Sequence, residues 1–564
     1  MRREFAVGMK RVGVKYLFNA ILTINMIQNS VYAEDSPSSS LQSRPNVLFI
    51  ICDDLNDSLE GMGGHPQAKT PNLSRLAAEG VRFTNAHSAA PICGPSRASL
   101  WTGIYPHTSG FYGYNQNRNR WHNNAILKHA KPFFEHFADN GYRIYGGGKI
   151  FHGNHNTAAL FKRSDGRGVF GPSKEPGPFA YSGDDSQEIG KALRAHPDVP
   201  KEFGMTGFNS FASIDNVPVV DGHKGWVFSL GRKPFRYHTE EDRDLLPDEL
   251  IANFGIKTLQ QDHDEPFLIT LGIIRPHAPW HAPQSYFDLF PLDEIRVPPY
   301  LENDLDDVPE EFWKMEGQDE KVASKFGGLL GYGMHRFKAL QDNYEGDEGW
   351  RRWIQAYLAC VAFADAQIGR VLDALDQSPY ADNTIVVVTS DHGFHMGEKN
   401  QFMKRTVWEE STRVPLIIRM PHGRNKGRES NQPVGLIDLY PTLVDLCDLT
   451  EDTYREGGKP LDGHSLRPFL NDPENGSWDG PEVALSVIEG GIPVENGVPA
   501  KVVDQHFTVR STDWRYTLTR SGEEELYDHR KDPNEWRNLA DNPEFSDVKA
   551  TLKESLLSLT GRAN

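Results

Sequence analysis

Cysteine is scarce in this chain: four residues in 564, Cys52, Cys93, Cys360 and Cys447, far apart and without metal-ligand spacing. So few exclude a disulfide framework of the kind that staples small secreted domains. Basic residues are outnumbered, 60 Lys and Arg against 78 Asp and Glu, for a net charge of −18. That balance argues against nucleic acid or an anionic membrane as partner. Beyond the N-terminal segment no stretch is long and apolar enough to span a bilayer. Internal repeats and long low-complexity tracts are also absent.

The first 33 residues have the pattern of a secretory signal. Arg2, Arg3, Lys10, Arg11 and Lys15 precede the mostly apolar run Tyr16–Ile27, and Val31-Tyr32-Ala33 offers a cleavage site. Translation from Met9 would give a more compact signal. Removal of residues 1–33 would take the net charge to −22, and an exported protein is expected. Residues 34–44 have a linker's composition.

The next run, Asn46-Val47-Leu48-Phe49-Ile50-Ile51-Cys52, is the continuous apolar pattern of a central parallel strand. Thr70–Gly80 predicts a helix with Thr as N-cap, Pro at its first position and Gly past its end. Further strands are predicted at Tyr142–Tyr145, Pro266–Ile274, Thr384–Thr389 and Val414–Arg419, and helices at Trp353–Leu375 and Leu436–Leu446. The alternation implies an α/β fold, a doubly wound, mostly parallel sheet flanked by helices over residues 45–470. Residues 153–245 and Leu301–Glu345 have the weak periodicity of insertions near a site mouth. Short strand-like pieces after residue 470, such as Phe507–Arg510 and Trp514–Thr519, with a last helix, predict a smaller α+β subdomain over residues 471–564.

Polar residues cluster just after the strands, where open α/β sheets bind ligands. One strand ends in Asp53-Asp54 and another in Ser390-Asp391-His392-Gly393. If these strands are neighbours, the carboxylates would repel unless a hard divalent cation joined them, and oxygen donors favour Ca²⁺ or Mg²⁺. Lys149 and His152 follow one strand, Arg275-Pro276-His277 another, and Lys404 lies thirteen residues after Asp391. Together they could make a positive pocket inside an acidic shell. Cys93 opens Cys93-Gly94-Pro95-Ser96-Arg97-Ala98-Ser99-Leu100-Trp101-Thr102-Gly103. Pro95 suits the first position of a helix, and Arg97 with unpaired backbone N–H groups would stabilise an oxyanion at residue 93.

Cys93-x-Pro-Ser-Arg followed by Thr-Gly resembles the maturation motif of the formylglycine-dependent sulfatases, within the alkaline-phosphatase-like superfamily. The resemblance runs from Pro45 to the tail, where Glu525-Leu526-Tyr527-Asp528 and Asp532-Pro533-Asn534-Glu535 also carry it. It is most similar to the iduronate-2-sulfatase branch, through Gly148–His152, Arg275–Pro279, Ser390–Gly393 and Gly397-Glu398. The resemblance implies that a formylglycine-generating or anaerobic sulfatase-maturating enzyme oxidises Cys93 to Cα-formylglycine. It implies one Ca²⁺, with Mg²⁺ as the alternative, held by Asp53, Asp54, Asp391, His392 and residue 93. Arg97, Lys149 and His152 would contact the nucleophile; His277 and Lys404 would contact the sulfate and leaving group. The implied substrate is a sulfated saccharide, a 2-O-sulfated uronic acid in a polysaccharide or glycosaminoglycan. Gly94, Phe394-His395 and Lys399-Asn400-Gln401 depart from the family pattern, and Tyr114, Arg118, Arg120, Trp280 and His281 are candidate sugar contacts. Two other readings stay open: a phosphate or phosphonate monoesterase of the same superfamily, and a non-catalytic, calcium-dependent glycan-binding relative.

Overall fold

The computed structural model describes residues 44–113, 121–152, 157–312, 330–423, 425–491 and 498–563. The expected signal, nearly all of the linker, and Tyr114, Arg118 and Arg120 lie outside the described residues.

Strand β1 (Asn46–Asp53) is buried along its whole length. With no polar residue between its ends, both of its faces need cover. Val47, Phe49 and Ile51 enter one core with Trp101, Phe133 and Leu443. Leu48, Ile50 and Cys52 enter the other with Leu73, Ile251 and Trp353. Around β1 lie β2 (Val81–His87), β3 (Arg143–Gly148), β4 (Gly168–Ser173), β5 (Phe267–Pro276), β6 (Thr384–Ser390), β7 (Arg413–Arg419), β8 (Arg428–Ser430) and β9 (Val434–Gly435). The sheet runs β8-β2-β7-β6-β1-β5-β3-β4, with β9 also on β2. β6, β1, β5, β3 and β4 are mutually parallel, whereas β7 is antiparallel to both neighbours. Helices α1 (Pro71–Glu79), α4 (Pro247–Leu259) and α6 (Glu348–Asp376) cover one face; α2 (Cys93–Thr102), α3 (Phe133–Asp139) and α7 (Leu439–Leu446) cover the other. Between α4 and α6 lies α5 (Gly331–Asn343). Among the described residues no helix is long and apolar enough to cross a membrane.

Strands β10 (Ala484–Glu489), β11 (Gln505–Arg510), β12 (Trp514–Leu518) and β13 (Glu524–Asp528) form an antiparallel sheet in that order. Its core includes Leu552 and Leu556 of α8 (Ser546–Thr560), and also Ala89, Ala90 and Ile92. The Val487 N–H donates to the Ala89 carbonyl at 3.0 Å, and the Ser486 hydroxyl to the Ser88 carbonyl at 2.6 Å. The small sheet therefore braces the loop that leads into Cys93.

Three local expectations are corrected. Thr70 occupies the N-cap position of α1 but its side chain does not cap the helix; its hydroxyl accepts from the Glu60 N–H, and Asp365 of α6 accepts the N–H groups of Asn72 and Leu73. A carboxylate from a distant helix takes the place of the local hydroxyl because it satisfies two orphan donors at once. Pro95 is the third residue of α2, not the first, since Cys93 itself opens the helix. Proline fits there because first-turn N–H groups have no intrahelical acceptor in any case. Gly168–Ser173, within a stretch expected to be insertion, instead forms the edge of the main sheet.

Candidate active site

The four central strands β6, β1, β5 and β3 end side by side, and each releases polar residues at its carboxyl end. Cys52 pairs with Ser390, which sets Asp53 beside Asp391. Between β5 and β3, Gly272 pairs with Gly148. A Cβ on Gly148, at φ 79°, would lie 2.1 Å from the Gly272 carbonyl oxygen, so only glycine lets Lys149 turn into the site here. Asp54 also adopts a left-handed backbone, φ 64°. Its N–H meets Asp391 Oδ1 at 3.3 Å, and its carbonyl accepts the Tyr357 hydroxyl at 2.7 Å. These bonds hold a conformation that costs a non-glycine residue energy.

Cys93 is fully buried, at the first position of α2. Its Sγ stands 3.2 Å from His392 Nε2, 3.4 Å from Asp53 Oδ1, and 3.6 Å from each of the Lys149 and Lys404 ammonium nitrogens. His152 also bonds to this thiol. Burial alone would raise the thiol, but Lys149, Lys404 and His392 outweigh it and bring it well below the usual range. Arg97 Nε donates to Asp391 Oδ2 at 2.8 Å and lies 3.5 Å from Asp53 through its Nη2. The rest of its guanidinium meets the carbonyls of Lys149, Ile150 and Cys52. Lys149 pairs with Asp53, and Lys404 with Asp54.

His277 Nδ1 lies 2.6 Å from the Ala278 carbonyl, which can only accept, so the N–H is on Nδ1. Nε2 then faces Asp53 and Asp54 at 4.0 Å. His392 is built alike: Nδ1–H donates to the Gly393 carbonyl at 2.9 Å and Nε2 points at the acids. Such a fixed tautomer is what a metal-ligating imidazole has. Burial would lower His392, but Asp391 and Cys93 push it up to about 9, so a proton and a cation are alternatives at Nε2. Burial brings His152 down to about 4 and also lowers His277. His152 is therefore neutral at physiological pH.

Ligand atoms of Asp53, Cys93, Asp391 and His392 lie within 4.8 Å of one another, as do those of Asp53, Asp54, Cys93 and His277. Buried carboxylates in such number, aimed at one point, fit a hard divalent cation. All the site residues expected from the sequence therefore converge. The candidate sugar contacts Trp280 and His281 do not: both are fully buried, Trp280 against Trp353 and His281 bonded to the Ala212 carbonyl. Lys174 was not anticipated. Ser173 pairs with Gly148, so Lys174 leaves β4 level with Lys149, and burial and that neighbour lower it to about 8. The sequence signal is weak, because β4, with two glycines and a proline, has no apolar run.

The family model described as sulfatase matches residues 45–449. This chain belongs to the sulfatase family. A second model, the C-terminal region of N-sulphoglucosamine sulphohydrolase, matches residues 397–562. A sulfatase from Formosa agariphila is 34% identical over 91% of this chain and 86% of its own length. Human iduronate 2-sulfatase is 27% identical over 88% of this sulfatase and 90% of its own length. Among solved structures, a phosphonate monoester hydrolase of Agrobacterium radiobacter shares the fold, with a TM-score of 0.63 at 21% identity, covering 92% of this chain and 96% of that one. The present chain is thus a sulfatase on a fold that also carries other ester hydrolases.

Proposed function

We propose that this sulfatase is exported and removes sulfate from a sulfated saccharide, a 2-O-sulfated uronic acid in a polysaccharide or glycosaminoglycan. The observation that carries the reading is the ring around residue 93, with Asp53, His392, Lys149 and Lys404 all within 3.6 Å of one sulfur atom. The uronate assignment draws its support from the resemblance to iduronate 2-sulfatase.

Oxidised to Cα-formylglycine and hydrated, residue 93 would supply two geminal hydroxyls, one to attack sulfur and one to expel sulfate. A divalent cation, Ca²⁺ or Mg²⁺, held by Asp53, Asp54, Asp391 and His392, would neutralise sulfate charge and acidify a hydroxyl of residue 93. The remaining work falls to the chain's own groups. Lys149 and Lys404 face the sulfur position and hold peripheral sulfate oxygens. Arg97, fixed by two carboxylates and three carbonyls, keeps the acids and the nucleophile in register. His277, held through its Nδ1–H and taking up a second proton at Nε2 as the anionic substrate enters, would deliver that proton to the departing sugar oxygen. His152, neutral and bonded to residue 93, takes the proton that lets sulfate leave.

The test is sulfate release, by ion chromatography, from a panel of defined sulfated oligosaccharides, with the residue-93 peptide weighed in the same preparation. Release from 2-O-sulfated uronosides by formylglycine-bearing protein is expected. Full activity with an unmodified thiol would overturn the nucleophile, and a preference for phosphonate or phosphate monoesters would overturn the substrate class.

A further inference from the structure

Arg336, on α5, is a buried cation that makes no ion pair among the described residues. It is 3% exposed, and among the described residues no carboxylate lies within ion-pair distance of it. Its guanidinium meets the Tyr332 hydroxyl at 2.5 Å and Met403 Sδ at 2.6 Å, and lies over the rings of Tyr332 at 4.0 Å and Phe203 at 6.0 Å. Its Nε has no acceptor. These contacts soften a positive charge but leave it uncompensated, and an unpaired buried charge is costly.

Its position gives the cost a purpose. Met403 immediately precedes Lys404, whose ammonium pairs with Asp54 and stands 3.6 Å from Cys93 Sγ. One turn before Arg336, Gly333 packs on Gln401, whose amide nitrogen is a second buried donor without an acceptor. Two orphan donors, one of them charged, thus flank the segment that leads into the sulfate-contacting lysine.

We infer that Arg336 reads a second anionic group on the saccharide, separate from the sulfate that is cleaved. The inference rests on the proposed function and deepens it by naming a specificity residue. A planar guanidinium matches carboxylate and sulfate oxygens alike, so the shared chemistry is an oxyanion carried on or beside the sulfated ring.

Formylglycine-bearing enzyme is assayed on three substrates: a 2-O-sulfated uronate disaccharide, its carboxyl-reduced analogue, and the reduced analogue with an added ring sulfate. Wild-type kcat/KM is expected to fall at least about thirtyfold on reduction, the scale of one charge-assisted bond. Recovery with the third substrate assigns a sulfate; no recovery assigns the carboxylate. R336M is expected to lose a similar factor on the uronate, mostly in KM, and under threefold more on the reduced analogue, with R336K partly restoring the uronate. Equal losses of R336M on all substrates, or wild-type rates blind to the second anion, overturn the inference while leaving the proposed function standing. No sulfate release from any substrate overturns both. The wild-type comparison alone decides the matter if R336M does not fold.

Discussion

At the scale of single residues, the site is one in which charge and geometry depend on each other. Arg97 binds both Asp53 and Asp391 with no exposure on any of the three side chains. Removing it strands two buried carboxylates. R97M should lose about 3–5 kcal/mol of stability as well as turnover, measured by chemical denaturation of the purified protein. C93S presents one hydroxyl where the proposed chemistry uses two. It is expected to release at most one sulfate per chain, and sustained multiple turnover near the wild-type rate in a burst assay would contradict the mechanism. Asp53, Asp54, Asp391 and His392 were legible in the sequence because they follow strongly apolar runs, whereas Cys93, Arg97 and Lys404 were legible through the resemblance to the sulfatase motifs. Arg336 was not, since it sits in a stretch without periodicity and its lack of a partner exists only in three dimensions.

At the scale of elements, the segment that presents Lys404 is fastened to the small sheet by buried charge. Arg515 of β12 pairs with Glu409 and Glu535, Arg510 of β11 reaches Glu409 at 3.1 Å, and His529 reaches Glu535 at 2.9 Å. Burial alone would raise Glu535, but Arg515 and His529 hold it at about 2. A folded value below the unfolded one means stability that is present above about pH 4.5 and lost as pH falls toward 2. E535Q should therefore lower the thermal midpoint at pH 7, and the gap from wild type should close as the pH is taken below 4.5. R515M should be more severe, by about 3–5 kcal/mol, because it leaves two acids unpaired. The sequence pattern disclosed the long apolar strands and α6 but not β2, whose polar alternation suits a strand bordered by antiparallel and short partners. Nor did it disclose the cap of α1, supplied from 292 residues away.

For the whole molecule, an excess of 18 negative charges surrounds a site that takes an anion. The order of strands was not readable, yet it is what resolves the conflict, by bringing Lys149, Lys404 and His277 to adjacent strand ends or to loops beside them, facing Arg97 on α2. Long-range repulsion should still slow the approach of a sulfated polymer. Raising ionic strength from about 10 mM to about 100 mM shortens the screening length from about 30 Å to about 10 Å. Over that range kcat/KM for a polyanionic chain is expected to rise, whereas that for a small monosulfated ester should change little. A fall for both would mean that the local clamp dominates.

The complete burial of Cys93 imposes an order on the life of the chain. Residue 93 begins a helix that is buried from end to end and is braced from behind by a sheet built from residues some 400 positions later. Any catalyst that rewrites this side chain must grasp its backbone before those later residues have closed over it. If residue 93 is oxidised as proposed, that editing would have to precede folding, and thiol-bearing protein that had already folded would be past repair.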